Sequence, residues 1–136
     1  MLLSVIALTM AAAPCARAEL PPPLAGWTKN GRALDTRNAV TLAPRGGRIE
    51  TGVRIRSEGV FGIALDREGW IDVAPAGGRK LRMVSESRGP RCSGIRKIVR
   101  YRLRPGSYRV TVARLQGARA KMMLVHGGFA RTRRRG

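Results

Sequence analysis

A chain of 136 residues, 43% of them hydrophobic, supports one folded domain with a buried core and excludes a wholly disordered protein. Against 8 Asp and Glu stand 27 Lys and Arg, a formal net charge of +19, which draws in polyanions unless it serves only to solvate the surface. With two residues each of Phe, Trp and Tyr, the core must be mainly aliphatic.

The chain opens "MLLSVIALTMAAAPCARAEL", and residues 1–13 carry no charged side chain. An apolar run this short falls below the ~20 residues a spanning helix needs and fits a secretory signal. No Lys or Arg precedes the run, so either the signal is atypical or, the favoured expectation, the start lies upstream of Met1. Two cuts fit the small residues, one after Ala13 and one after Ala18. The first keeps Cys15 and the second discards it. An exported chain with two cysteines invites a disulfide. Given the Ala13 cut, a Cys15–Cys92 bridge would contribute ~4 kcal/mol by closing a long loop.

Residues 14–38 read as a leader. Pro21, Pro22 and Pro23 predict an extended polyproline II segment that lays Leu24 and Trp27 onto the domain. From residue 39 to 126 the apolar residues alternate with period two, the pattern of half-buried strands. "AVTL" at 39–42 opens the series. Ile49, Thr51, Val53 and Ile55 face in, with Glu50, Arg54 and Arg56 outward. Phe61, Ile63 and Leu65 form the next inward set, then Ile71 and Val73 after Trp70. Leu81 and Met83 predict a short strand. Val99, Tyr101 and Leu103 alternate with Arg100, Arg102 and Arg104; Tyr108, Val110 and Val112 alternate with Arg109 and Thr111. Met122 to Val125 closes the series. Turn signals at "DREG", "PAGG" and "RPGS" punctuate the strands. About seven or eight short strands at this spacing predict an all-β fold, an antiparallel β-sandwich resembling a jelly roll. The tail at 127–136 is basic and has too little apolar content to pack.

His126 is the only histidine. A facial-triad iron site needs two histidines, and catalytic zinc sites take three protein ligands, so neither is expected. Copper on Met122, Met123 and His126 fails because a strand sends the two methionines to opposite faces. No metal and no cofactor is expected. Cys92, flanked by Arg91 and Arg96, could serve as a nucleophile beside His126, but a disulfide suits an exported chain better. Asp66, Glu68 and Asp72 in "DREGWID" read as a solvated turn rather than a glycosidase pair. No catalytic residue is assigned, and the chain leans away from enzymes.

Binding is the better reading. Arg54, Arg56, Arg100, Arg102, Arg104 and Arg109 project outward if the strand phases hold. Should the two long strands flanking "RPGS" pair as a hairpin, four of them share one face, a platform for phosphates or sulfates. It lacks the aromatics that stack on bases, so no specific nucleic-acid recognition is expected. Trp70 is the one strong outward candidate for stacking on a sugar.

"LPPPLAGW", "GWIDVAPAGGRKL" and "GPRCSGIRKIVRYRLRPGSYRVTV" together resemble a group of small exported proteins of alphaproteobacterial type, over residues 20–125. In that group a cysteine commonly precedes the Leu-Pro segment, as Cys15 does here. The resemblance therefore implies the Ala13 cut and the Cys15–Cys92 pairing. Such proteins are sometimes labelled homogentisate 1,2-dioxygenase, a far longer cupin enzyme with a two-histidine, one-glutamate iron site. The lone His126 cannot supply that site, and "SESRG" stands where the look-alikes tend to carry histidines. "LRPGSYRVTV" separately resembles accessory β-sandwich domains of secreted hydrolases. The expectation is an exported, non-catalytic β-sandwich, periplasmic or secreted. It would bind anionic polysaccharide, lipid headgroups or another polyanion at the cell envelope. The alternative is an enzyme, either that dioxygenase or a thiol enzyme using Cys92.

Overall fold

The computed structural model describes residues 20–127. The expected signal, its cleavage sites, Cys15 and nearly all of the basic tail lie outside the described residues. Two antiparallel sheets make up the domain, as the alternation predicts. The larger has the order β1 (Val40–Leu42), β8 (Ala120–His126), β3 (Gly59–Leu65), β6 (Lys97–Leu103), β5 (Ser85–Ser87). The smaller has the order β2 (Ile49–Ile55), β7 (Gly106–Ala113), β4 (Trp70–Pro75).

The main core lies between the sheets. Phe61, Ile63 and Leu65 of β3, Val99, Tyr101 and Leu103 of β6, and Met122 and Leu124 of β8 supply one wall. Val53 and Ile55, Ile71 and Val73, and Val110 and Val112 supply the other. These are the inward sets of the alternation, and aliphatic side chains dominate them.

A second, smaller core sits on the other side of the larger sheet. A short 3₁₀ helix, Pro22–Thr28, lies there, where the proline run predicts polyproline II. Only Pro21 keeps that conformation, at φ −60° and ψ 154°. The fixed φ of proline suits a first helical turn as well as an extended one. Leu24 and Trp27 lie three residues apart, so a 3₁₀ helix puts both on one side. Both are buried against Ala64, Ile98, Met123 and Val125. Trp27 donates its indole N–H to the Ser93 carbonyl at 2.9 Å, and Lys121 Nζ stands 4.4 Å from the ring centroid. Met122 faces the main core and Met123 this second one, so the strand sends them apart as expected.

Two connections depart from the expected order. β6 and β7 do not form a hairpin: β6 pairs with β3 and β5, and β7 with β2 and β4. "RPGS" carries the chain from one sheet to the other. Tyr108 holds this crossing, its hydroxyl donating to the Arg104 carbonyl at 2.8 Å and accepting from the Arg104 N–H at 2.9 Å. The arrangement is that of a tyrosine corner. Leu81 and Met83 also lie outside any strand. The Leu81 N–H bonds to Val73 in the smaller sheet and the Val84 N–H to Arg100 in the larger. The segment between them spans the two layers, and the short strand comes later, at Ser85–Ser87.

Candidate functional site

The two sheets differ in what covers their outer faces. The larger carries the 3₁₀ helix, whereas the smaller leaves Trp70 58% exposed. Strand register shows how the open face is built. Across β4 and β7, Trp70 stands beside Ala113, Asp72 beside Thr111 and Ala74 beside Arg109. Across β7 and β2, Thr111 stands beside Glu50 and Arg109 beside Gly52. Small residues (Ala113, Ala74 and Gly52) thus alternate with large ones and leave a shallow trough. Trp70, Arg48, Lys80, Arg109 and Arg114 rise along it.

Four cationic side chains face two carboxylates here. Lys80 pairs with Asp72 at 3.2 Å, and Glu50 lies 3.9 Å from Arg109 and 4.0 Å from Arg48. Arg114 has no carboxylate partner among these pairs; its guanidinium carbon lies 5.8 Å from the Trp70 ring centroid. Arg114 also holds φ at +58°, left-handed backbone that costs a side-chain-bearing residue roughly 1 kcal/mol. That backbone sets the direction of the chain as β7 ends and Leu115 bonds to Gly47. An exposed indole with a guanidinium over it offers a flat apolar surface beside a positive charge.

The six arginines expected to project outward, four of them on one face if the strands flanking "RPGS" paired, are dispersed. Arg109 belongs to the trough. Arg54 and Arg56 lie at the end of β2, exposed. Arg102 is exposed on β6, in the other sheet, and Arg104 in the crossing. Arg100 is buried, 6% exposed, between Gly62 of β3 and Ser87 of β5. Its Nη1 donates to Ser87 Oγ at 2.8 Å, and burial pushes its pKa down. The single basic face therefore does not form; it required β6 and β7 to be neighbours. Arg48, Lys80 and Arg114 were outside the expected set. Trp70 was the one outward aromatic that marked this face, while Arg48, Lys80 and Arg114 lie outside the strands, where alternation does not lead to them.

The three acidic residues around "DREGWID" have separate partners. Asp66 pairs with Arg67 at 3.2 Å and accepts from the Lys121 N–H; Glu68 pairs with Arg96 at 2.6 Å; Asp72 pairs with Lys80. The Arg96 guanidinium holds the Glu68 carboxyl below its usual range. Among the described residues no cluster of three His, Cys, Asp or Glu could hold a metal, and no helix is long and apolar enough to cross a membrane. His126 packs edge-on against Phe61, with ring centroids 5.0 Å apart.

Cys92 lies in a tight turn, where the Ser93 N–H bonds to the Pro90 carbonyl and Cys92 takes φ +65°. There is no free cysteine among the described residues. Its turn is the one that Trp27 grips through Ser93.

Comparison with known proteins finds no family model that matches the chain and no curated protein similar to it.

Proposed function

We propose that this protein is an exported, non-catalytic β-sandwich that binds an anionic polysaccharide at the cell envelope, through the open face of its smaller sheet. The observation that carries the reading is Trp70. A tryptophan this exposed on a flat sheet face, ringed by Arg48, Arg109, Arg114 and Lys80, matches a sugar ring that carries acidic groups. The sugar stacks on the indole while its carboxylates or sulfates meet the guanidinium groups. The net charge of +19 adds long-range attraction to the same partner.

The reading includes removal of a signal segment before Pro14 and a Cys15–Cys92 bridge. The absence of a free thiol at Cys92 supports that bridge. So does the docking of the leader against the Cys92 turn. The likeness to small exported alphaproteobacterial-type proteins is part of the same proposal.

Heparin, as a model acidic polysaccharide, and uncharged dextran test the reading. Heparin should bind at ~0.15 M salt, and Trp70→Ala should weaken it about tenfold. Binding that vanishes well below that salt, or that ignores Trp70, would leave only nonspecific charge. The intact mass of the exported protein, before and after reduction and alkylation, tests the cut and the bridge together.

A further inference from the structure

A second opening lies at one end of the sandwich, away from the Trp70 trough. β1 stops pairing with β8 at Met122, and beyond it the Asp35 carbonyl takes up the Leu124 N–H at 3.1 Å. The segment at residues 34–37 thus stands in for the missing strand. Between it, the end of β2 and the end of β8 is a cavity of about 490 Å³. Its floor is part of the main core: Leu34, Val53, Ile55, Phe61 and Leu124 line it, all buried.

The mouth has the opposite character. Arg37, Arg54 and Arg56 line it and are exposed. None of the three forms an ion pair among the described residues, whereas Arg48, Arg67, Arg96 and Arg109 all do. The one carboxylate at the mouth, Asp35, is held inward by its own loop, its Oδ1 accepting from the N–H groups of Arg37 and Asn38 at 2.8 Å each. Three unneutralised guanidinium groups stand over an apolar floor. A site of that kind takes an anionic head with an apolar body.

The geometry points to a binding site for a small amphiphilic anion, a carboxylate on an apolar chain or ring, held between the sheets by Arg37, Arg54 and Arg56. The volume falls within the range of about 300–1,000 Å³ typical of small-molecule pockets. The chain's own basic tail, with Arg131, Arg133, Arg134 and Arg135, carries the wrong charge to fill it. This site is independent of the polysaccharide reading, since no residue is shared with the trough.

Octanoate is the probe, with acetate and 1-octanol as the two controls. Titration calorimetry on the intact protein should show octanoate binding at least about tenfold tighter than either, because acetate lacks the body and octanol the charge. The triple variant Arg37→Gln, Arg54→Gln, Arg56→Gln alters only exposed side chains, and should weaken octanoate about tenfold or more while leaving octanol unchanged. Trp70→Ala should leave octanoate binding intact. Octanoate binding no tighter than acetate would overturn the site. So would triple-variant binding equal to that of the parent. Neither result would touch heparin binding at Trp70.

Discussion

Tyr101 of β6 donates its hydroxyl hydrogen to the carbonyl oxygen of Ile71 in β4, 3.1 Å away across the core. The two residues belong to different sheets, so this bond ties the layers together where side-chain packing otherwise holds them. Burial, aided by Asp72 and Glu86, pushes the phenol up to about 12. A raised pKa means that the folded state holds the proton more tightly than the unfolded one. Its contribution is complete below pH ~10 and is lost as pH rises toward 12, about 3 kcal/mol in all. Urea unfolding at pH 9 and at pH 11.5 should show the loss. Tyr101→Phe should remove that part of the pH dependence and cost about 1–2 kcal/mol at neutral pH.

Tyr108 does different work. Its hydroxyl serves both the N–H and the carbonyl of Arg104 at the crossing between sheets. Tyr108→Phe leaves both backbone groups without that partner and should cost about 1–3 kcal/mol. Urea midpoints measure it, and the slope of the transition should stay constant because the exposed area does not change.

Arg114 separates folding from binding. At φ +58° a glycine is at ease and an arginine is strained. Arg114→Gly should leave stability unchanged or raise it by up to ~1 kcal/mol. The same variant removes the guanidinium above Trp70, so heparin affinity should fall severalfold. Loss of stability in parallel with affinity would show that Arg114 is structural.

The leader is a structural part of the domain. Trp27→Ala should cost about 3–5 kcal/mol, since it empties a buried site and removes the bond to Ser93. Gly26→Ala should be comparably damaging, because a methyl group there would run into the Arg37 carbonyl. Thermal melts of both variants check this. Removing residues up to Asn38 would uncover Ala64, Ile98, Met123 and Val125, and light scattering should then report association.

Strand phase was legible in the sequence because each inward set had to meet a core: Ile49, Val53 and Ile55 alternate with Glu50 and Arg54, and the structure buries the first group and exposes the second. Strand partnership was not legible. "RPGS" has the chemistry of a tight turn, and nothing local shows that β6 and β7 part company there; the deciding contact is the Tyr108 hydroxyl. Arg100 illustrates a second gap. Alternation sends it to the outer face, but it is buried there between Gly62 of β3 and Ser87 of β5, neighbours set by strand order rather than by local sequence. The trough was half legible. Trp70 stood out as an outward aromatic, while Arg48 and Arg114 reach it only through β7 register and a left-handed backbone.

The roof on the larger sheet also sets an order of events. Leu24 and Trp27 rest on Met123 and Val125, and Val40 pairs with Met122. The 3₁₀ helix and β1 therefore complete their packing only once β8, the last described strand, is present. A ribosome that has delivered everything up to Leu103 has made most of the strands, yet neither the second core nor the β1 edge can close. Contacts between such distant parts of the sequence slow folding and leave the nascent chain open until β8 has been made. Until β8 emerges, β1 has no partner strand and the 3₁₀ helix has no finished seat.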